Sequence, residues 1–176
     1  MTISNFKTYK DIFDDEFASQ FGEHKDEFLT IEVTNFPEID VERIAQLINI
    51  TIQKDKSLTQ SGSVEVVGDD ILMKINEEEV DYRQRFTIAH EIGHVVSKHL
   101  ELSKILYRAV GTFNRDIEDK LQERQANDFA AKLLMPDKLI AYHFYDLHLT
   151  EADVLAKKFN VSLISMEYRL INLGYM

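Results

Sequence analysis

Cysteine is absent from the 176-residue chain. That absence removes disulfides, thiolate metal ligands and a cysteine nucleophile together, so any metal must be held by His, Asp or Glu. Positive charge is scarce: 20 Lys and Arg stand against 31 Asp and Glu, for a formal net charge of -11. A dedicated binder of nucleic acid or of an anionic membrane needs a basic face for phosphate contacts, and this balance argues against both. No apolar run approaches the length of a membrane span. The N-terminal MTISNFKTYKDIFDDEF soon turns acidic instead of carrying the apolar core of a signal peptide. The cytoplasm is therefore the expected compartment. Stretches rich in Pro, Gly or Ser are also missing, as are internal repeats and low-complexity tracts, so nothing in the composition marks a linker. What remains, 44% hydrophobic and 29% charged residues, is the composition of a globular domain with one real core and at most a small appendage.

Along the chain, Phe6, Tyr9, Phe13, Phe17 and Phe21 recur at helical spacing with Asp11, Asp14, Asp15 and Glu16 between them. The pattern predicts an acidic amphipathic helix laid over the core, with a partner-binding arm as the lesser alternative. Asn35-Phe36-Pro37 breaks it, and Asp40 is placed to cap a helix through Ile48 with Val41, Ile44, Ala45 and Ile48 inside. Strands are expected from Ile50, over Ser63 to Val67 and over Ile71 to Ile75. Gly68-Asp69-Asp70 turns the last two into an antiparallel hairpin. Helical patterns then follow at about 81 to 99, 116 to 134, 137 to 143, 151 to 159 and 162 to 173. Strands in the first half and helices in the second indicate an α+β domain. The acidic run Glu77-Glu78-Glu79 reads as a solvated loop or first helical turn, where carboxylates favour the helix dipole.

Inside the first of those later helices lies RFTIAHEIGHVV, an apolar segment with two histidines and a carboxylate in its middle. On a helix, His90 and His94 project from one face with Glu91 beside them. This is the His-Glu-x-x-His arrangement, in which two imidazoles ligate zinc and the glutamate is the general base. The bland reading is a pair of partly buried histidines on a helix flank. A catalytic zinc site also needs a third protein ligand and an open fourth position. The helical stretch EDKLQERQANDFAAKLLMP, which stops at Pro136, offers Glu123 and Asn127 four residues apart, with Ala126 and Ala130 as small residues that admit a neighbouring helix. Its apolar side is Leu121, Phe129, Ala130, Leu133 and Leu134. Glu123 can thus reach a metal while the Asn127 amide orients a histidine. Glu118 and Asp119 are rivals without that setting, and for them and Gln122 a polar helix face is the ordinary account.

The two motifs, RFTIAHEIGHVV followed by ERQANDFAAKLLMP, resemble the ImmA/IrrE family of metallopeptidases. The likeness is good over about residues 40 to 136 and looser beyond. It implies a compact zincin fold in which a small antiparallel sheet, here of three strands, packs on the active-site helix. It also implies His90, His94 and Glu123 as zinc ligands, with manganese as the alternative ion, and Glu91 as the base. Many members carry a second glutamate where this chain has Gln125, a departure that supports Glu123 as the ligand. The resemblance implies peptide hydrolysis. For the oxyanion the candidate donors are Tyr107, Tyr142, His143 and His99, each with an ordinary packing or surface role as its alternative. A substrate peptide is expected to add as a strand to a sheet edge, and Ile71 to Ile75, just before the metal helix, is the predicted edge.

The C-terminal segment has the outline of a helix-turn-helix: Thr150 and Ser162 as caps, and Phe159-Asn160-Val161 as the turn. Its second helix offers Glu167 and Arg169 with little basic charge, so direct nucleic-acid binding is not expected. The chain thus reads as an acidic helical extension (residues 1–36), a metallopeptidase core (37–145) and a C-terminal helical pair (146–176). The leading function is a zinc endopeptidase. By resemblance its protein substrate is a helix-turn-helix repressor of the Xre type encoded nearby, and its cleavage relieves repression of a phage, mobile element or stress response. The alternative keeps the fold without catalysis: a partner-binding regulator or a toxin–antitoxin component, against which an intact Glu91 counts. A transcription factor acting through the C-terminal helices is a third.

Overall fold

The computed structural model describes residues 5–68, 70–98, 105–107 and 117–176, with backbone alone at 105–107 and 117–119. The chain divides into two compact units. One joins Met1–Asp40 to Ala131–Met176, and the other is Val41–Ala130. These boundaries differ from a division at 36/37 and 145/146, because the N-terminal segment and the C-terminal helices share one unit.

In the Val41–Ala130 unit, helix α4 (Val41–Leu47) buries Val41, Ile44 and Ala45 and leads into strand β1 (Ile50–Asp55). Strands β2 (Gly62–Val67) and β3 (Asp70–Asn76) form the antiparallel hairpin that the Gly68 turn predicts, with Val67 opposite Asp70 and Val64 opposite Met73. The α+β class holds, and the sheet is small. Two details differ from the expected three antiparallel strands. The sheet is mixed, because β1 runs parallel to β3 from Ile50 opposite Ile71 to Asp55 opposite Asn76. It also has four strands in the order β1-β3-β2-β4, since β4 (Ile105–Tyr107) pairs with β2. The cause lies in connectivity. Residues 56–61 carry the chain past one strand position, and the hairpin then folds β3 back into that gap. β3 is also the strand best suited to the interior, with Met73 and Ile75 fully buried. It therefore cannot be the free edge predicted for it; among the described strands the edges are β1 and β4.

Helix α5 (Asp81–Val96) follows. Asp81 places a carboxylate in its first turn, where it favours the dipole, and Gln84 Nε2 donates to the Glu79 and Glu77 carbonyls, tying the helix start to the acidic loop. In that loop Glu79 accepts from Ser61 Oγ at 2.7 Å. Ile88, Ala89 and Ile92 are buried along α5, which packs on β2, β3 and α4. Burying such side chains stabilises by about 1.5–3 kcal/mol each for the larger ones. Helix α6 (Ile117–Leu134) carries Ala126, Phe129 and Ala130 into the same core, whereas Leu121 stays 54% exposed.

In the other unit the aromatic stripe does pack inward, but not on one helix. Helix α1 (Tyr9–Ile12) ends at extended Phe13, and α2 (Asp15–Ser19) restarts behind Asp14, whose carboxylate accepts from Phe17 N at 2.7 Å. Helix α3 (Lys25–Thr30) then brings Phe28 against Phe21 at 4.1 Å between ring centroids and against Phe13 at 5.1 Å. After Pro136 come α7 (Asp137–Ala141), a π turn over Tyr142–Asp146, α8 (Ala152–Phe159) and α9 (Leu163–Leu173). Ser162 caps α9 as expected, accepting from Ser165 N at 3.1 Å. The N-cap of α8 is Glu151 rather than Thr150, with no side-chain cap bond. Asn160 in the left-handed region ends α8, and Gly174 ends α9. No helix among the described residues is long and apolar enough to cross a membrane.

Candidate metal centre

His90 and His94 lie one turn apart near the C-terminal end of α5, both buried. Their Nε2 atoms face each other at 3.0 Å. From α6, Glu123 directs its two carboxylate oxygens at them: Oε2 is 3.5 Å from His90 Nε2, and Oε1 is 3.4 Å from His94 Nε2. Four such donors at about 2.0–2.1 Å from a tetrahedral ion stand roughly 3.3 Å apart, so these three separations match the donor set of zinc to within a few tenths of an ångström. The atoms are nitrogen, nitrogen and carboxylate oxygen, a set suited to a borderline divalent cation.

The rest of the site prepares that triad. His90 Nδ1 donates to Asn127 Oδ1 at 2.9 Å, which fixes the ring with Nε2 turned toward His94 and Glu123. Glu123 and Asn127, four residues apart on α6, thus serve one histidine from two sides. Hydrogen bonds from the His90 and then the His94 imidazole hold the Glu123 carboxyl well below the usual carboxylate range, so a full negative charge faces the two rings. Glu91 follows His90 by one residue, about 100° round α5, and is buried at 2% exposure. A carboxylate withdrawn from water beside a metal-ligand triad suits a proton acceptor.

The close approach of α6 to α5 rests on Ala126, one of the small residues expected to admit a neighbouring helix, and on Gly93, which the sequence pattern was not read for. A Cβ on Gly93 would stand 3.1 Å from Phe129 Cδ1 and 3.2 and 3.3 Å from the Ala126 Cα and carbonyl oxygen. Gly93 and Ala126 together let the helix backbones come near enough for Glu123 to reach both rings. The available signal was a glycine inside an otherwise strong helical pattern. Gly62 plays a similar part under α5, where a Cβ would meet Thr87 Cγ2 at 2.6 Å and the Lys74 carbonyl at 2.9 Å.

The family model for the IrrE N-terminal-like domain matches residues 48–171. The chain belongs to that family. Membership of a metallopeptidase family implies a metal ion, and the described residues that could hold one are His90, His94 and Glu123. The chain is 32% identical over 107 residues to "Metallopeptidase ImmA" of Bacillus subtilis (strain 168), a match that spans 60% of this chain and 59% of the length of that relative. Among solved structures, a Mycobacterium tuberculosis transcriptional regulator shares the fold at a TM-score of 0.58 and 18% identity, covering 88% of this chain and 44% of that one.

The four oxyanion candidates fall in different places. Tyr142 and His143 belong to the unit of Met1–Asp40 and Ala131–Met176. There the His143 ring stacks on Phe36 at 5.3 Å, meets Phe159 edge-on at 5.0 Å and donates from Nδ1 to the Leu139 carbonyl at 2.8 Å. Tyr142 stands edge-on to Phe6 at 5.3 Å. The backbone of Tyr107 lies in β4, and His99 lies outside the described residues.

Proposed function

We propose that the chain is a zinc-dependent endopeptidase that cuts one specific protein, a helix-turn-helix repressor of the Xre type encoded near it, and so relieves transcriptional repression in the cytoplasm. The observation that carries this reading is the convergence of His90 Nε2, His94 Nε2 and the Glu123 carboxylate beside buried Glu91. The family supports a peptidase, and the -11 net charge suits a basic DNA-binding substrate.

In this role His90, His94 and Glu123 hold the ion, and Asn127 fixes the His90 ring. Bound there, zinc supplies a Lewis acid that acidifies water and polarises the scissile carbonyl. Glu91 accepts the proton of the attacking water and delivers it to the departing amine nitrogen. Its burial keeps bulk water from competing for that proton. The peptide adds as a strand to a free sheet edge, which among the described strands is β1 or β4 because β3 is paired on both sides.

Metal content by mass spectrometry after one chelator wash tests the ligand set. Wild type is expected to hold about one zinc per chain, and both His94→Ala and Glu123→Ala to lose it. Manganese in place of zinc would change the ion and leave the ligands standing, whereas zinc retained in Glu123→Ala would displace Glu123 from the set. Glu91→Gln should keep its metal and cut the candidate repressor about 10²–10⁴-fold more slowly. Unchanged cleavage in that variant would remove Glu91 from the mechanism, and a metal-loaded wild type that binds the repressor without cutting it would leave the partner-binding regulator.

A further inference from the structure

Asn127 touches a buried residue and is itself exposed. Its Oδ1 meets Nδ1 of the fully buried His90, while the residue as a whole opens to solvent on α6. A ring that ligates a metal through Nε2 carries its proton on Nδ1, so it is the oxygen of the amide, and not the nitrogen, that faces His90. A carboxamide is planar and holds its acceptor and its two donors on separate branches. With Oδ1 turned to the ring, Nδ2 is turned away from it. Among the described residues the bond to His90 is the only side-chain hydrogen bond of Asn127, so neither Nδ2 proton meets a protein acceptor there. Phe86, one turn before His90 on α5, is half-buried with its ring 6.3 Å from the imidazole. His90 thus has beside it an exposed amide donor and a partly open aromatic ring, the mixture of apolar surface and a few placed polar groups that binding sites use.

The donor also stands close to the chemistry. The amide oxygen is 2.9 Å from Nδ1 of His90, and an ion about 2.0–2.1 Å from Nε2 lies roughly 4 Å beyond Nδ1, which puts that oxygen within roughly 7 Å of the ion. Extended peptide advances about 3.3–3.6 Å per residue, so the amide is within about two residues of a bond cleaved at the metal. A peptide lying there brings backbone carbonyls that lose water on binding and need donors in exchange. Because the bond to His90 already fixes the carboxamide, engaging Nδ2 costs little further rotamer entropy. We infer that Asn127 binds the substrate directly: Nδ2 donates to a backbone carbonyl of the peptide within about two residues of the scissile bond, while Oδ1 holds His90. This rests on the peptidase reading above and adds to it a contact from α6 to the substrate. A backbone carbonyl is present in every residue, so the contact sets where the peptide lies against the metal and is indifferent to its side chains.

Asn127→Asp separates the two contacts, because a carboxylate still accepts from His90 Nδ1 but has no proton to donate. Zinc-loaded wild type and Asn127→Asp are titrated by calorimetry with acetohydroxamate, which engages the metal alone, and with two peptide hydroxamates, one extending to each side of the metal-binding group. The variant should hold zinc and acetohydroxamate as wild type does and bind at least one peptide hydroxamate about tenfold more weakly. A second arm needs no variant to fold: in nitrogen-15 spectra of zinc-loaded wild type, the Asn127 side-chain amide protons should shift and become protected from exchange with a peptide hydroxamate and not with acetohydroxamate. Equal affinities of the two proteins for all three ligands, or amide protons that answer acetohydroxamate and peptides alike, would overturn the inference and leave the peptidase reading standing. Acetohydroxamate lost in step with the peptides would overturn it too, reducing Asn127 to a support for His90. A zinc-loaded wild type that binds none of the three has no open position at its metal, and that result would overturn both readings.

Discussion

The metal centre depends on a hydrogen bond to one amide. Asn127 Oδ1 accepts from His90 Nδ1 at 2.9 Å, which orients the ring. Asn127→Ala should leave the fold intact and lower metal affinity by about 10–100-fold, read by competition with a chelator of known affinity. An affinity equal to wild type would mean that packing alone orients His90. His143 gives a second residue-scale expectation. Burial lowers its pKa below the ordinary value, with a smaller contribution from Lys158 and opposition from the Leu139 carbonyl. Because the folded state disfavours the charged ring, the stability tied to its neutrality is complete above the unfolded pKa of about 6.5 and is lost as pH falls through the window below it. Unfolding free energy measured by urea titration should therefore decline on acidification from this site with a slope of up to about 1.4 kcal/mol per pH unit. The His143→Gln variant should show a shallower decline, and an identical pH profile in the two proteins would assign the loss to other groups.

At the scale of elements, two glycines separate what is tolerable from what is not. At Gly62 an added Cβ would meet the Lys74 backbone at 2.9 Å, and strand backbone does not yield cheaply, so Gly62→Ala should destabilise by about 1–3 kcal/mol. At Gly93 the contacts are 3.1–3.3 Å, and alanine gains about 1 kcal/mol of helix propensity, so stability should change little. What Gly93→Ala should do is push α6 outward by a few tenths of an ångström, carrying Glu123 and Asn127 with it. Metal affinity is then expected to fall more than stability does, a comparison that one chelator competition and one urea melt supply. A large loss of stability with unchanged metal affinity would refute that separation. The long helices and the β2–β3 hairpin were legible because periodicity and turn chemistry are local. So was the facing of His90 with His94 and of Glu123 with Asn127, since i, i+4 spacing on a helix is already a direction. The parallel pairing of β1 with β3 was not, because it depends on a hairpin inserting between distant segments. Nor was β4, whose three residues are too few for a period. The break at Phe13-Asp14 was masked by an aromatic stripe that keeps its spacing across it, although Asp14 followed by Asp15 and Glu16 is a capping signal in plain view.

For the molecule as a whole, the centre joins α5 to α6 through side chains instead of backbone, and metal should therefore act as a stabiliser of the folded state. His90 and His94 come from one helix and Glu123 from the other, so an ion bound to all three binds the folded chain and not the unfolded one. Linkage then fixes the size of the effect: free metal at a hundred times its dissociation constant adds about 2.7 kcal/mol. In a chain of this size each kcal/mol moves the melting temperature by about 2–4 °C, so stripping the metal with a chelator should lower it by roughly 5–10 °C. Without metal, the negative Glu123 still sits against two imidazoles. The His94→Ala variant has lost one corner of the site, so its melting temperature should not respond to chelator or added zinc. Differential scanning calorimetry on the two proteins, with and without metal, measures both differences at once. A wild type whose transition ignores the chelator, while metal analysis shows the ion removed, would mean that the site is rigid without its ion and that α5 and α6 are held together by Gly93, Ala126 and Phe129 alone.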